Sequence, residues 1–416
     1  MTVTIDHIHA AREALKGQVV RTPMLHAPKL SELTGAEIWV KYENMQVTNS
    51  FKDRGAYIRL SKLSDSQKQK GVIAMSAGNH AQAVAYHAKR LGIPATIVMP
   101  QFTPFTKVER TQAHGAEVVL SGETLDDARS TVDEMIEARG LTLVHPYDDD
   151  DVIAGQGTIA LEMLEEVPDL EALVIPIGGG GILAGNAISS RSVNPKIELI
   201  GVEAELYPSM YNLVRGKEMK CGGTTLADGI AVKSAGLKTS AIIKEMADDI
   251  RLVSEAQIEG AVNAYFSHQK TSAEGAGASP LAAVLADREH FAGRKVGLIL
   301  CGGNIDPRIM ASVIYRELER DQRIVNIRVT IDDRPGVLAA IANIIGETGA
   351  NILEVAHSRM FLEVSAKGAE LDFMVETRGP DHVSMLVEQL EAAGFRVRVL
   401  DSPGGQATPN TKRPSS

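Results

Sequence analysis

The sequence is poor in cysteine, in aromatic residues and in long apolar stretches. It has only two cysteines among 416 residues, Cys221 and Cys301, and aromatic side chains make up 4%. Two cysteines exclude a disulfide framework and a zinc site built on cysteine pairs, and they suit a reducing compartment such as the cytoplasm. No apolar run approaches the roughly 20 residues needed to cross a bilayer, so no membrane-spanning helix is expected.

Positive charge is also scarce. Lysine and arginine number 43 against 53 aspartates and glutamates, which gives a net charge of −10. Nucleic acids and anionic membrane surfaces select basic patches, so neither is expected as a partner. The first residues, Met1 to His7, lack a basic start followed by an apolar stretch, and no signal peptide is expected there.

The remaining composition is that of an ordinary globular protein, with 44% hydrophobic and 23% charged residues. A chain of this length predicts two or three domains. From about residue 37 to 302, short β-branched runs alternate with helical patterns, which is typical of a parallel sheet covered by helices. The predicted strands are 37–41, 71–75, 95–99, 117–120, 141–144, 173–176, 197–202 and 296–300, and the clearest helix is 80–91.

The pattern changes near residue 322. Predicted strands and helices now follow the order βαββαβ, which indicates a separate small α+β domain. Its strands are predicted at 324–331, 351–355, 370–376 and 395–400, and its helices at 337–346 and 381–393. The domains are therefore predicted as residues 1–321 and 322–401. Residues 402–416 are rich in Pro, Gly, Ser and Thr, which predicts a disordered tail.

The most informative motif is a run of four glycines, Gly178–Gly181, after the apolar stretch 172–177. One or two glycines would suffice for a tight turn from strand to helix, and a run of four costs backbone entropy. Bare N–H groups at the start of a helix can surround an anion. The run therefore predicts a phosphate site, and a simple tight turn is the alternative.

Two further turns, Ser76–Asn79 and Cys301–Asn304, also follow predicted strands. Ligands of parallel sheets bind beyond the carboxyl ends of the strands. Lys52 stands just before a helical stretch, in the segment 49–56. A single lysine is usually a solvated surface charge, but beside a phosphate site its amine can capture a cofactor aldehyde as a Schiff base.

Seven segments together resemble the fold-type II pyridoxal-phosphate enzymes, and among these the threonine dehydratases (threonine ammonia-lyases). They occur in the family's order and cover about residues 20–310. Each segment alone is a weak signal, whereas the set is very specific. The segments are 50–55, 76–82, 153–158, 178–181, 227–229, 273–277 and 301–304.

Residues 324–400 resemble an ACT domain, a small amino-acid-sensing module. The two resemblances imply an α/β catalytic body of two subdomains, similar to tryptophan synthase β, followed by a ferredoxin-like α+β ACT domain.

The family resemblance also implies roles for particular residues. Lys52 is implied to hold the cofactor, pyridoxal 5'-phosphate, as a Schiff base and to act as acid and base. Phe51 is implied to cover the pyridine ring, and Asn79 to donate to the phenolic oxygen. The implied cofactor-binding residues are Phe51, Lys52, Asn79, Gly178, Gly179, Gly180, Gly181 and Cys301, and the implied substrate-binding residues are Ser76, Ala77, Gly78, Asn79 and His80. For His80, an ordinary histidine at a helix start is the alternative.

Cys301 stands where this family commonly has a serine beside the pyridine nitrogen. A neutral thiol supplies no firm negative charge to keep that nitrogen protonated, which favours loss of a β-hydroxyl over transamination. A buried cysteine that only fills space is the alternative. Asp228 and Glu274 lie in turns where relatives can hold a cation. Ordinary turn acids are the simpler interpretation, and the cation is left unassigned.

The ACT resemblance implies a small amino-acid effector, with isoleucine or valine as the expected ligand. The candidate residues are Asp333, Gly336 and Asn351, because a glycine lets polar ligand groups approach the backbone. The alternative is that the domain only pairs subunits. Apolar faces in so small a unit need a partner surface, which predicts a homo-oligomer, dimeric or tetrameric.

The implied reaction is β-elimination of ammonia from L-threonine to give 2-oxobutanoate, and from L-serine to give pyruvate. This chemistry suits isoleucine biosynthesis. Serine racemases and hydroxyaspartate ammonia-lyases share these motifs, so both activities stay open. A non-catalytic ligand sensor is disfavoured because Lys52, Asn79 and the four glycines are all present.

Overall fold

The structure is a computed structural model that describes residues 3–124, 127–358 and 368–400. The chain divides into two compact units, the first ending at Asp306 and the second beginning at Pro307. The strands, in chain order, are β1 (Met24–His26), β2 (Glu37–Tyr42), β3 (Val72–Met75), β4 (Ala95–Met99), β5 (Glu117–Leu120), β6 (Thr142–Leu143), β7 (Ala172–Pro176), β8 (Glu198–Ala204), β9 (Asp249–Val253), β10 (Lys295–Leu300), β11 (Ile324–Asp332), β12 (Asn351–Ser358), β13 (Gly368–Glu376) and β14 (Arg396–Leu400).

Helix boundaries follow local sequence signals. Asp149 accepts the N–H groups of Asp151 and Val152 and so caps one helix, whereas Gly35 ends another in the left-handed conformation. The α-helices, in chain order, are α1 (Ile5–Leu15), α2 (Pro28–Thr34), α3 (Lys52–Ser61), α4 (Asp65–Lys70), α5 (Asn79–Arg90), α6 (Phe105–Ala113), α7 (Arg129–Arg139), α8 (Asp150–Glu166), α9 (Gly181–Val193), α10 (Ser209–Arg215), α11 (Leu237–Met246), α12 (Glu255–Ala264), α13 (Gly275–Ala286), α14 (Arg288–Phe291), α15 (Pro307–Arg320), α16 (Val337–Glu347) and α17 (Pro380–Ala392).

The larger sheet of the first unit has the strand order β1-β2-β10-β7-β8-β9. Every neighbouring pair is parallel except β1 with β2. Strand β7 reads Ala-Leu-Val-Ile-Pro and is buried throughout, because helices α9 and α13 pack against it. Since β7 and β10 are parallel neighbours, the glycine run and the turn at Cys301 leave the sheet at the same edge.

The smaller sheet has the order β5-β4-β3-β6, and all its pairs are parallel. Helix α5 packs on β3 and β4 through the side chains predicted from its sequence pattern. Their apolar atoms belong to one core with the strands, which holds the start of α5 at the carboxyl end of β3; these residues are Ala81, Val84, Ala85 and Ala88.

Helices α8 and α9 approach each other closely at the 153–158 motif. A Cβ atom built on Gly157 would lie 2.6 Å from the carbonyl oxygen of Gly185, and one on Gly185 would lie 2.3 Å from the carbonyl oxygen of Ile153. Both distances are too short for a real side chain. Gly157 of this motif therefore serves helix packing. This packing places the start of α9 at the edge of the sheet.

The second unit is an antiparallel sheet, β12-β13-β11-β14, with helices α16 and α17 packed on its core. This is the predicted βαββαβ arrangement, and the predicted fold class is confirmed. Helix α15 also belongs to this unit: the Tyr315 hydroxyl lies 3.0 Å from the Met374 sulfur on β13. The unit therefore begins before the predicted boundary at residue 322, and the point at which the domains can be separated stays a prediction.

Each strand predicted from the sequence is present, with ends that differ by three residues or fewer. Strands β1 and β9 were missed. The first has only three residues, and the second, Asp-Ile-Arg-Leu-Val, mixes polar and apolar residues and is recognisable only by its pairing with β8. The predicted tail, 402–416, lies outside the described residues. Across the described ranges, no helix is long and apolar enough to cross a membrane.

Candidate active site

The segment that carries Lys52 is tied to the turn after β10. Ser50 and Gly302 form a short antiparallel bridge, and the N–H of Phe51 donates to the carbonyl oxygen of Cys301 at 2.9 Å. The start of helix α3 is thereby held at the carboxyl edge of the larger sheet, where the sequence predicted the ligand site.

Lys52 is the first residue of α3, and its side chain is half-buried. The Nζ atom donates to the carbonyl oxygen of Pro146 at 2.8 Å and lies 5.1 Å from the centre of the Phe51 ring. Burial lowers the pKa of Lys52 to about 8, although Cys301 and Glu274 oppose the shift. A larger fraction of this amine is therefore unprotonated near neutral pH than for an ordinary lysine, which suits attack on a carbonyl carbon.

The four glycines connect β7 to α9 in the predicted turn. Gly180 has a φ of +96°, in the left-handed region that favours glycine. Within the described residues, the N–H groups of Gly178–Gly181 have no hydrogen-bond acceptor, although Gly179–Gly181 are buried. Buried N–H groups without partners are costly, and these stand at the positive end of a 13-residue helix. The turn is therefore suited to bind an anion.

Tyr147 lies against the same turn and was not identified from the sequence. A Cβ atom built on Gly179 would lie 2.3 Å from carbons of the Tyr147 ring, and one on Gly180 would lie 2.8 Å from Thr239 Oγ1. Close packing alone therefore requires glycine at these positions. The two interpretations of the run, a phosphate site and a tight turn, are compatible. Neighbouring residues fill the space that side chains at these positions would occupy, while the backbone N–H groups remain available for an anion.

The turn after β3 leads from Ser76 through Ala77 into α5. Ser76 Oγ accepts the N–H of Gly78 at 3.2 Å, and no atom lies within 4 Å of a Cβ built on Gly78. This open backbone at a helix start suits a carboxylate. His80 differs, because its Nε2 lies 2.9 Å from the carbonyl oxygen of Val144, and burial lowers its pKa to about 3. Its ring is thus a neutral packing group, while the substrate role of the turn stays a prediction.

Asn79, at the start of α5, forms side-chain hydrogen bonds with two residues distant in sequence, Glu274 and Asn304. Its Nδ2 donates to Glu274 Oε1 at 2.7 Å, and its Oδ1 accepts from Asn304 Nδ2 at 2.8 Å. From the sequence, Glu274 is interpreted as a turn acid or as a possible cation ligand, and Asn304 has no role of its own. Both stand in glycine-rich motifs that were recognised, but the motifs carry no signal of these side-chain contacts.

Cys301 is buried with 2% of its surface exposed. Burial and the neighbouring Glu274 raise the pKa of its thiol well above the usual range. The thiol is therefore neutral at physiological pH, which agrees with the expectation that Cys301 supplies no negative charge.

The two acidic residues, Asp228 and Glu274, each have a protein partner. Asp228 pairs with Lys107, whose Nζ lies 2.6 Å from the Asp228 carboxylate, while Glu274 is bonded to Asn79. In the part of the chain that the structure describes, no group of three His, Cys, Asp or Glu side chains could hold a metal ion.

The predicted effector residues lie in the second unit. Gly336, with a φ of +92°, begins α16. Asp333 Oδ1 lies 3.9 Å from Nε2 of His357, near the end of β12, whereas Asn351 is the first residue of that strand. At about 3.3 Å per residue, six residues of strand separate Asn351 from His357 by roughly 20 Å. A single chain therefore does not bring Asn351 together with the other two.

A buried ion network beneath α3 was also missed. Arg54, two residues after Lys52, is fully buried and forms paired hydrogen bonds of 2.7–2.8 Å with both Glu43 and Glu162. Lys41, fully buried on β2, donates to Glu162 at 2.7 Å. The network joins the first turn of α3 to α8 and β2, and so fixes the position of Lys52. A lysine within an apolar strand was its only sequence signal.

These groups fit pyridoxal phosphate. The buried N–H groups of Gly179–Gly181 suit its phosphate, and the amine of Lys52 suits its aldehyde. Asn79 retains one N–H after bonding to Glu274, which suits the ring oxygen. The site thus supplies an anion-binding turn, a nucleophile and a donor from three different elements.

Known proteins share both units. The family model for the pyridoxal-phosphate dependent enzymes matches residues 15–302, and the model for the ACT domain matches residues 325–395. An L-threonine ammonia-lyase from Thermotoga maritima is 42% identical over 400 residues, which cover 96% of this chain and 100% of that protein.

Solved structures agree with these matches. The processed form of threonine deaminase isoform 2 from Solanum lycopersicum superposes with a TM-score of 0.71 at 35% identity, over 75% of this chain and 87% of that chain. Serine racemase from Dictyostelium discoideum superposes with a TM-score of 0.69 at 36% identity, over 74% of this chain and 100% of that chain. The chain therefore belongs to the pyridoxal-phosphate dependent enzyme family, uses pyridoxal phosphate as its cofactor, and carries a C-terminal ACT domain.

Proposed function

We propose that this protein is a threonine ammonia-lyase, which converts L-threonine to 2-oxobutanoate and ammonia and also converts L-serine to pyruvate and ammonia. The likeness to the Thermotoga maritima L-threonine ammonia-lyase carries the proposal, because it extends over 96% of the chain and so includes both domains. The amine of Lys52, with its lowered pKa, is the group that the reaction needs as its base.

The residues of the site have distinct tasks in this reaction. When bound, the cofactor supplies an electron sink for negative charge at the Cα atom of the substrate. Lys52 removes the Cα proton with its neutral amine and, once protonated, can donate to the departing β-hydroxyl. Backbone N–H groups of the 76–80 turn hold the substrate carboxylate. The neutral thiol of Cys301 would supply no negative charge to keep the pyridine nitrogen of a bound cofactor protonated, which favours elimination over transamination.

A product assay tests the proposal against its closest alternatives. L-threonine, L-serine and hydroxyaspartate are each incubated with the purified holoenzyme, and keto acids, ammonia and D-amino acids are measured. We expect 2-oxobutanoate from threonine as the main product. A predominance of D-serine would identify a racemase. Oxaloacetate as the main product would identify a hydroxyaspartate ammonia-lyase, and the absence of any product would indicate a ligand sensor.

The lowered pKa of Lys52 predicts how cofactor capture depends on pH. Only the neutral amine attacks the aldehyde, so the rate of covalent capture by apoprotein should rise with pH and reach half its maximum near pH 8. Borohydride quenching followed by mass spectrometry measures the label on Lys52. Labelling of the exposed Lys62 in the same digest is the internal reference. A midpoint near the ordinary lysine value of 10.5 would contradict the burial argument.

We further propose that the ACT domain binds isoleucine or valine between subunits of a cytoplasmic homo-oligomer and thereby regulates isoleucine biosynthesis. Strand β12 is at the edge of its sheet, and its Leu353 and Val355 side chains are 45% and 40% exposed. Exposed apolar groups on an unpaired edge favour pairing with a second copy. Antiparallel pairing of two β12 edges would bring Asn351 of the partner subunit near the loop that carries Asp333 and Gly336.

Removal of the ACT domain should separate regulation from chemistry. A chain that ends at Asp306, where the first compact unit ends, is expected to keep its turnover but to lose any response to isoleucine or valine. Allosteric coupling of roughly 1–3 kcal/mol corresponds to a change of about 5- to 150-fold in apparent substrate affinity. Both forms are assayed at subsaturating threonine with each of the twenty amino acids. If the full chain responds to none of them, or the shortened chain responds equally, the domain only assembles subunits.

A further inference from the structure

The side-chain amide of Asn79 stands at the end of a chain of hydrogen bonds that begins at a backbone carbonyl. Asn304 Nδ2 donates both to the carbonyl oxygen of Thr48 and to Asn79 Oδ1, each at 2.8 Å. Asn79 Nδ2 then donates to Glu274 Oε1 at 2.7 Å. The other oxygen of this carboxylate, Oε2, accepts the backbone N–H of Asn304 at 3.2 Å.

Donor and acceptor rules allow only one orientation of Asn79 in this arrangement. A carbonyl oxygen only accepts, so Asn304 must turn its NH₂ group towards Thr48 and thus towards Asn79. Asn79 must then present its oxygen to Asn304 and its NH₂ group to Glu274. An ionised carboxylate accepts that donor, and one N–H of Asn79 remains for a ligand.

The backbone is shaped to admit this contact. A Cβ atom built on Gly302 would lie 2.4 Å from Glu274 Oε1 and 3.0 Å from Asn79 Nδ2. Any side chain at position 302 would displace Glu274 or Asn79 from their contact. Glu274 itself is buried with 5% of its surface exposed, so its two hydrogen bonds replace water that it has lost.

We propose that Glu274 is a positioning residue, whose carboxylate holds the Asn79 amide in the orientation that donates to the ring oxygen of the cofactor. The inference rests on the proposed role of Asn79 as that donor. Glu274 acts through Asn79 and needs no contact of its own with the reacting atoms. Protonation of the carboxylate removes the negative charge that strengthens the contacts with Asn79 and Asn304. A neutral carboxyl therefore holds the Asn79 amide less firmly.

The charges around Glu274 place this change near neutral pH. Burial and the carboxylate of Asp228 raise the pKa of Glu274 to about 7, against the hydrogen bonds from Asn79 and Asn304 and the charge of Lys107. The neutral thiol of Cys301 and the amine of Lys52 also face it. Below this pKa the neutral carboxyl holds Asn79 weakly, and above it the ionised carboxylate holds Asn79 more strongly.

Binding of a cofactor analogue to full-length apoprotein tests the proposal without turnover. Pyridoxine 5'-phosphate keeps the ring oxygen and the phosphate but has no aldehyde, so the titration of Lys52 does not enter as covalent capture. We expect its affinity for the wild-type protein to rise about tenfold or more between pH 5.5 and pH 8.5, since a hydrogen bond to an ionised group is at stake. Glu274→Gln should bind at the weak, low-pH level throughout, apart from the phosphate titration that all variants share.

Three comparisons separate positioning from a structural effect. The combined Glu274→Gln, Asn79→Ala variant should bind no more weakly than Asn79→Ala alone, because both changes remove the same contact. An analogue that lacks the ring hydroxyl, 3-deoxypyridoxine 5'-phosphate, should bind equally to wild type and Glu274→Gln. Glu203→Gln is the matched control, since Glu203 is also buried with a pKa raised to about 7 but accepts N–H groups of α10 instead.

The outcomes are distinct. If the losses of affinity of the two single variants multiply in the double variant, Glu274 does not act through Asn79. If Glu274→Gln weakens binding of the deoxy analogue as much as binding of pyridoxine 5'-phosphate, Glu274 does not act through the ring hydroxyl. Either result would overturn the positioning role. Wild-type binding by Asn79→Ala would instead reject the proposed contact of Asn79 with the cofactor. If Glu274→Gln does not fold, Asn79→Ala carries the test alone, because it keeps the carboxyl and should still lose the pH dependence near 7.

Discussion

Replacing Lys52 with alanine is expected to lower turnover of threonine and serine by about 10⁴-fold or more, because the change removes both the nucleophile and the proton-transfer group. The visible absorbance of the reconstituted protein should change as well, since no amine remains to capture the aldehyde. Borohydride reduction should leave the variant without a label on the 49–56 peptide. Steady-state keto-acid production and peptide mass spectrometry measure the two effects.

Lys62, at the other end of helix α3, supplies the matched control. Its side chain is 45% exposed and pairs with Asp151. Helix α3 separates Lys62 from Lys52, because Lys52 is its first residue and Lys62 follows its last. Lys62→Ala should therefore keep wild-type turnover and labelling. Wild-type-like turnover in the Lys52→Ala variant would contradict the assignment of the nucleophile and with it the proposed reaction.

Substitution of Gly179 is expected to have the second largest effect, on cofactor affinity. Aspartate at this position would place a negative charge beside the proposed phosphate position. At an effective dielectric constant of about 20, two unit charges ~4 Å apart interact by ~4 kcal/mol, which corresponds to a loss of affinity of about 1,000-fold. Titration of apoprotein with pyridoxal phosphate, followed by absorbance, measures the affinity.

The Gly179→Asn variant separates the effect of charge on cofactor affinity from the effect of side-chain bulk. Any side chain here meets the Tyr147 ring, because a Cβ atom would lie 2.3 Å from its carbons. Gly179→Asn and Gly179→Asp share this crowding, and only the second adds charge. If the two variants, both shown to be folded by circular dichroism, bind the cofactor equally weakly, the glycine serves packing against Tyr147 and the phosphate assignment is wrong.

The architecture could be predicted from the sequence because its signals are local. Period-two alternation in residues 324–331, and apolar runs such as 172–177, depend on which face of a strand is buried. Glycine runs and helix patterns are equally local, so the turns at the ends of β3, β7 and β10 were recognised before any packing was known. Strands β1 and β9 escaped this reasoning because their own residues carry too little pattern.

The sequence by itself therefore predicted the α/β body, the βαββαβ domain and the motifs that carry most residues of the candidate site. Only the tertiary structure decided what those residues touch. Asn79 and Glu274 are 195 residues apart in the chain, and the His80 ring contacts the carbonyl oxygen of Val144, 64 residues away. The pKa of Lys52 likewise depends on burial by elements distant in sequence. Side-chain contacts and desolvation arise from packing of remote segments, for which no local pattern exists.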